Sequence, residues 1–294
     1  MPRGRRRRDR YNAQKSNASA PLPVDHYENF PVASWLLPAP LREPVEAIYH
    51  FARGADDMAD EGDLSPAARL RGLDRYARAL DEIEAGVAQS ERPFARLSAA
   101  VARHRLPLPL LRALIDAFRQ DVTVHRYATF AEVLDYSRRS ADPIGRLLLH
   151  LFRENARLDE SRDPDRLSDL VCSGLQVTNF WQDVALDWRK GRVYIPQEDL
   201  RRFHVEERDI AAGNADARWQ RLMAFQCERA RGMLREGAAL GRMLPGRLGL
   251  EIRATVQGGL AILDKIDAAR GDVFRQRPQL TRPDWLRIAA KSLL

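Results

Sequence analysis

The chain has 294 residues, 45% of them hydrophobic and 30% charged, a composition that suits a soluble globular protein with a sizeable core and excludes a low-complexity or fibrous chain. Its sequence pI near 9.8 suggests nucleic acid only until the charge is located. Residues 1–25 hold seven basic and two acidic residues and so carry +5 of the formal +7, leaving a near-neutral body.

That leader, "MPRGRRRRDRYNAQKSNASAPLPVD", is polar and broken by proline, the pattern of a disordered segment. No apolar stretch follows its arginines as a secretory signal requires. With Cys172 and Cys227 far apart and expected to be reduced, the chain reads as cytoplasmic. The predicted elements then run helix after helix. Residues 41–61 place Val45, Ile48, Tyr49 and Ala52 on one face. Ser65 and Pro66 open the next helix as cap and first turn. Further helices are expected over 93–103, 109–124, 130–152, 166–188, 217–241, 247–269 and 282–292, with Thr129 and Glu132 as a capping-box pattern. "RVYIP" reads as a loop, no repeat of fixed period is present, and no run reaches the roughly 20 apolar residues of a membrane span. The expectation is an all-α domain over 26–294 behind a basic leader.

Two acidic faces stand out. Gln176, Asn179, Asp183 and Asp187 step by 3, 4 and 4 and share one helical stripe; Arg53, Asp56 and Asp60 step by 3 and 4 on the first helix, with Asp57 and Glu61 beside them. Carboxylates on a solvated helix are commonplace, but the second stripe interrupts Phe180, Trp181, Val184, Ala185 and Leu186. A helix so apolar around its circumference is interior, and carboxylates in an interior need a partner. Mg²⁺ takes oxygen ligands and is commonly held by one or two carboxylates together with substrate phosphates. Arg189, Lys190 and Arg192, following at once, suit the same phosphates. Two such faces meeting across an apolar cavity would hold a prenyl diphosphate.

The same residues resemble the squalene and phytoene synthases of the isoprenoid-synthase fold, from about His26 to Arg277. "DDMAD" (Asp56 to Asp60) and "QVTNFWQDVALDWRKGRVYIP" match that family's two aspartate motifs, the second through Gln176, Asn179, Asp183, Asp187, Gly191, Arg192, Tyr194 and Pro196. "YSRRSADPIG" looks like its central helix, giving Tyr136, Ala141 and Gly145. Tyr27 and Asn29 stand where the family usually has serines, and Gln182 where it commonly has arginine. With "HYENFPVAS", "NFWQD" and "TVQGGLAILDKI", these departures are similar to the hopanoid-pathway branch called HpnC, the hydroxysqualene synthases. The resemblance implies a single-domain helical bundle around a central cavity. It implies Mg²⁺ on Asp56, Asp60, Asn179, Asp183 and Asp187. The diphosphate is then held by Arg53, Lys190, Arg192 and Tyr194, with Ala141 and Gly145 against the substrate. Presqualene diphosphate would ionise, and water placed by Tyr136 or Gln176 would give hydroxysqualene.

The nearest rival is head-to-head condensation of two prenyl diphosphates to presqualene diphosphate, squalene or phytoene. A nicotinamide-dependent reduction is not expected, because no glycine loop follows a strand. Zinc is not expected, because His26, His50, His104, His125, His150 and His204 form no HExxH or His/Cys cluster. RNA binding by the arginine-rich arm is the alternative of another class; it would call for basic residues interleaved with aromatics on the body, and none form such a stripe. A water-insoluble product makes transient contact with a membrane surface an expectation.

Overall fold

The computed structural model describes residues 39–154 and 157–293. The leader, "HYENFPVAS" and Trp35 lie outside the described residues. Fourteen α-helices follow one another there: α1 (Ala39–Asp60), α2 (Pro66–Glu84), α3 (Phe94–His104), α4 (Leu108–Asp121), α5 (Phe130–Ser140), α6 (Asp142–Arg153), α7 (Pro164–Gln182), α8 (Val184–Arg189), α9 (Gln197–Arg202), α10 (Glu207–Ala211), α11 (Ala217–Gly237), α12 (Leu240–Met243), α13 (Gly246–Ala268) and α14 (Arg282–Ser292). No strand occurs among the described residues. One isolated bridge, Arg126 with Val193, lays "RVYIP" beside the loop after α4.

Two apolar clusters hold the bundle. One joins α1, α2, α3 and α4 through Phe51, Leu73, Leu80, Leu97, Leu111 and Leu114. The other is built on Trp181, Trp219, Leu222, Cys227, Leu234 and Leu263 from α7, α11 and α13. Helix α7 packs against α5, α6, α11 and α13 and is central. Contact with four helices is why Val171, Val177, Phe180 and Trp181 of α7 are all buried. Gly145 in α6 lets the two helices approach: a β-carbon there would strike Ser168 Oγ and Cys172 Sγ of α7.

Three helices expected as continuous are interrupted: the 217–241 segment turns at 238–239 between α11 and α12, and the other two breaks fall where the site lies. The 130–152 segment breaks at Ala141 (φ −122°, ψ −50°), leaving Pro143 in the first turn of α6, where its missing N–H costs nothing. The 166–188 segment breaks at Asp183 (φ −104°, ψ 10°). Apolar periodicity runs through both breaks, so spacing alone did not show them. No helix among the described residues is long and apolar enough to cross a membrane.

Candidate active site

Helices α1, α4, α5, α6 and α7 enclose a cavity of about 360 Å³, lined by Val45, Ile48, Ala52, Ile144 and Leu148, with the rings of Tyr49, Phe118 and Tyr136. Its polar lining is sparse: Arg53, Asp56, Ser140, Gln176 and Asn179. A largely apolar hollow with a few convergent polar groups is the usual form of a small-molecule site. Arg53, Asp56, Tyr136, Gln176 and Asn179 are thus brought to one place from three helices far apart in sequence.

The two acidic faces converge beside it. Asp60 ends α1, where the helix dipole disfavours a carboxylate, and Lys190 and Arg192 compensate from the other ridge. Lys190 Nζ donates to Asp60 Oδ2, and Arg192 Nη1 lies 2.6 Å from Oδ1. The chain turn that delivers them is a Schellman motif after α8: Arg192 N donates to Asp187 O (2.8 Å) and Gly191 N to Trp188 O (2.9 Å). It requires φ +76° at Gly191, which suits glycine. Arg126 fixes the turn from outside, donating to Gly191 O (2.6 Å) while forking onto Glu207 (2.6 and 2.8 Å).

The electrostatics follow from this geometry. Burial would raise the Asp60 pKa, but Lys190 and Arg192 outweigh it and hold the carboxyl below its usual range. Asp56 is pushed up to about 7, first by desolvation and then by the charge of Asp60, although Arg53 Nη1 donates to it at 3.1 Å. Its side chain keeps 40% of its surface, yet the concave wall crowds it from bulk water, and the upward sense follows from that crowding. Asp187 is pushed up to about 8 by burial and by Asp183, with Asp60 adding to it. Asp60 therefore feels both ridges, and Asp187 makes no ion pair among the described residues.

Among the described residues no group of three or more His, Cys, Asp or Glu stands close enough to hold a metal ion. Cations of the chain explain the spacing. Lys190 and Arg192 occupy Asp60, and Arg277 Nε and Nη2 fork onto Asp183, the second at 3.1 Å. The donor set nonetheless fits a hard cation: four carboxylates and an amide, all oxygen donors, one of them a desolvated Asp187 with no cation of its own.

Sequence reasoning missed two of these groups. Asp121 closes α4 and is buried; Tyr136 Oη donates to it at 2.7 Å and Tyr194 Oη at 3.4 Å, while Arg192 donates to its carbonyl (3.2 Å). Burial lifts its pKa to about 6. A carboxylate at the unfavourable end of a helix was the available signal. Arg277 carried none, since only the return of the chain after α13 brings it to Asp183.

Other expected residues lie elsewhere. Tyr194 is stacked on Phe180 at 3.9 Å and packed against Tyr127 and Tyr136, so it braces the wall rather than lining the cavity. Ala141 and Gly145 do not line it either; the first ends α5 and the second spaces α6 from α7. Gln182, standing where the family commonly has arginine, is buried with Nε2 donating to Pro278 O.

An all-helical bundle whose aspartate-bearing helices flank an apolar cavity is the architecture of the isoprenoid-synthase fold. The squalene/phytoene synthase family model matches residues 24–284, and the chain belongs to that family. It is 33% identical to the hydroxysqualene synthase of Sinorhizobium fredii over 257 residues, covering 86% of this chain and 84% of the relative. It is 30% identical to the 15-cis-phytoene synthase of Synechococcus elongatus over 270 residues, covering 90% and 86%. The crystal structure of squalene synthase HpnC from Alicyclobacillus acidocaldarius superposes with a TM-score of 0.75 at 38% identity, over 83% of this chain and 90% of that one.

Proposed function

We propose that the chain ionises presqualene diphosphate and captures the cation with water, releasing hydroxysqualene and diphosphate. The observation that carries this reading is the apolar cavity with an acidic and basic cluster at one edge and separate hydroxyl and amide groups within it. Its likeness to a hydroxysqualene synthase over most of both chains supports the choice.

Asp56, Asp60, Asn179, Asp183 and Asp187 would hold Mg²⁺, which when bound neutralises charge on a leaving diphosphate. Arg53, Lys190 and Arg192 donate to the phosphate oxygens, and for the last two this means exchanging Asp60 for the substrate. Tyr49, Phe118 and Tyr136 are the aromatic residues of the lining, and aromatic rings stabilise a carbocation by cation–π attraction. The aliphatic lining keeps bulk water out. Tyr136 and Gln176 are polar groups set in that wall.

Head-to-head condensation of two prenyl diphosphates is the second reading, favoured by likeness to a phytoene synthase across 90% of the chain. The deciding experiment supplies purified protein and Mg²⁺ with either presqualene diphosphate or farnesyl diphosphate, without a nicotinamide, and identifies the product by mass spectrometry. Hydroxysqualene from presqualene diphosphate is expected. Presqualene diphosphate, squalene or phytoene formed from a prenyl diphosphate, with no alcohol in the other arm, overturns the proposal.

The protein is proposed to work in the cytoplasm in transient contact with an anionic lipid surface, through α14. That helix and the Leu293 that caps it expose Trp285, Leu286 (75%) and Leu293 (74%) with Arg282, Arg287 and Lys291 around them. Its acid, Asp284, turns inward to Lys265 at 2.7 Å. An apolar face flanked by cations is the pattern of an interfacial helix, and the charge complements anionic headgroups.

A further inference from the structure

Ser140 is the last residue of α5 and lines the apolar cavity, yet its Oγ is sealed from solvent and has no hydrogen-bond partner. Three other buried helical hydroxyls are satisfied on the carbonyl four residues back, Ser137 on Val133 (3.0 Å), Thr178 on Gly174 (2.7 Å) and Ser292 on Ile288 (2.7 Å), and a fourth, Ser173, on Asp142 (2.7 Å). Ser140 forgoes that bond, although leaving a buried hydroxyl unsatisfied is unfavourable. The chain leaves helical geometry directly after it, at Ala141. Trp181 Nε1 also lacks a partner, but Trp181 does not line the cavity.

The neighbouring polar groups narrow the roles. Tyr136 has already committed its O–H to Asp121 at 2.7 Å. Arg53 and Asp56 are committed to each other at the ionic edge. Ser140 keeps both a donor and an acceptor, on a single rotatable bond that no hydrogen bond fixes.

We propose that Ser140, once its Oγ turns about χ1 from the packed wall toward the cavity, is the positioning residue for the water that captures the carbocation, accepting one of its hydrogens and aiming an oxygen lone pair into the cavity. The inference rests on the reading of the function given above. Diphosphate departs with the electron pair of the broken C–O bond. The water lone pair forms the new C–O bond, and the surplus proton passes to the released diphosphate. Where no water is held, the cation loses a proton from carbon instead, and the product is a hydrocarbon. Ser140 thus sets the partition between alcohol and hydrocarbon, whereas the acidic ridges set ionisation.

The test compares the parent protein with Ser140→Ala and Ser140→Thr, each with presqualene diphosphate and Mg²⁺ in H₂¹⁸O, with thermal unfolding recorded for all three. The parent is expected to give ¹⁸O-labelled alcohol. In Ser140→Ala the alcohol-to-hydrocarbon ratio should fall at least about tenfold, the effect of about 1.4 kcal/mol. Ser140→Thr, which keeps the hydroxyl, should restore alcohol as the main product. An unchanged ratio in a folded Ser140→Ala overturns the role of Ser140 and leaves the function standing. If Ser140→Ala does not fold, loss of alcohol in a folded Ser140→Thr overturns it and retention of alcohol supports it. A parent protein that makes no alcohol overturns both.

Discussion

Asp142 offers a test of the packing that shapes the cavity. It lies in the first turn of α6 and is 3% exposed, and Ser173 Oγ of α7 donates to it at 2.7 Å. Burial, reinforced by Asp169, lifts its pKa from 3.8 to about 7, against the pull of Ser173 and Arg146. The folded state therefore binds this proton more tightly than the unfolded chain does. The stabilisation is fully present below pH 3.8 and is lost as pH rises to about 7. At 1.36 kcal/mol for each pH unit, that interval amounts to about 4 kcal/mol. The positive end of the α6 dipole favours the anion by about 1 kcal/mol, so a net of roughly 2–3 kcal/mol is expected. Asp142→Asn keeps an acceptor for Ser173 and removes the titration. Urea unfolding of both proteins between pH 3.5 and pH 8.5 should show them within about 0.5 kcal/mol at pH 3.5, with the variant more stable by roughly 2–3 kcal/mol at pH 8.5. A variant less stable at pH 8.5, or a difference independent of pH, would refute the account of a desolvated carboxyl between α6 and α7.

Asp56→Ala and Asp183→Asn should each lower turnover by at least about 10²-fold, the scale of losing one electrostatic contact to a developing anion, with the helical circular dichroism of the parent. Asparagine is chosen at 183 because its amide oxygen still accepts a hydrogen bond from Arg277, which alanine would not offer; full activity in either variant counts against the proposed site. Sedimentation with vesicles should show binding to membranes rich in anionic phospholipid and little to neutral ones. The double change Leu286→Ser with Leu293→Ser should weaken it at least about fivefold, a modest fraction of the burial energy of two leucines. A parent protein that ignores anionic vesicles disproves the α14 contact.

Helix periods, caps and the two aspartate patterns were legible in the sequence because they are local: a face recurs every three or four residues, and Ser65 or Gly191 acts on its own turn. Spacing alone placed Asp56 with Asp60 and Asp183 with Asp187, and the apolar surroundings of the second pair announced burial. The tertiary structure decided which groups face one another. Arg277 reaches Asp183 across 94 residues and Lys190 reaches Asp60 across 130. Tyr194 turns into an aromatic stack, and Ser140 stands beside the cavity without a partner. Side-chain period is a property of the backbone and is written in the chain. Pairing between distant segments depends on which helices bury each other, and at Ala141 and Asp183 small departures from helical geometry, invisible to periodicity, fix where those side chains end.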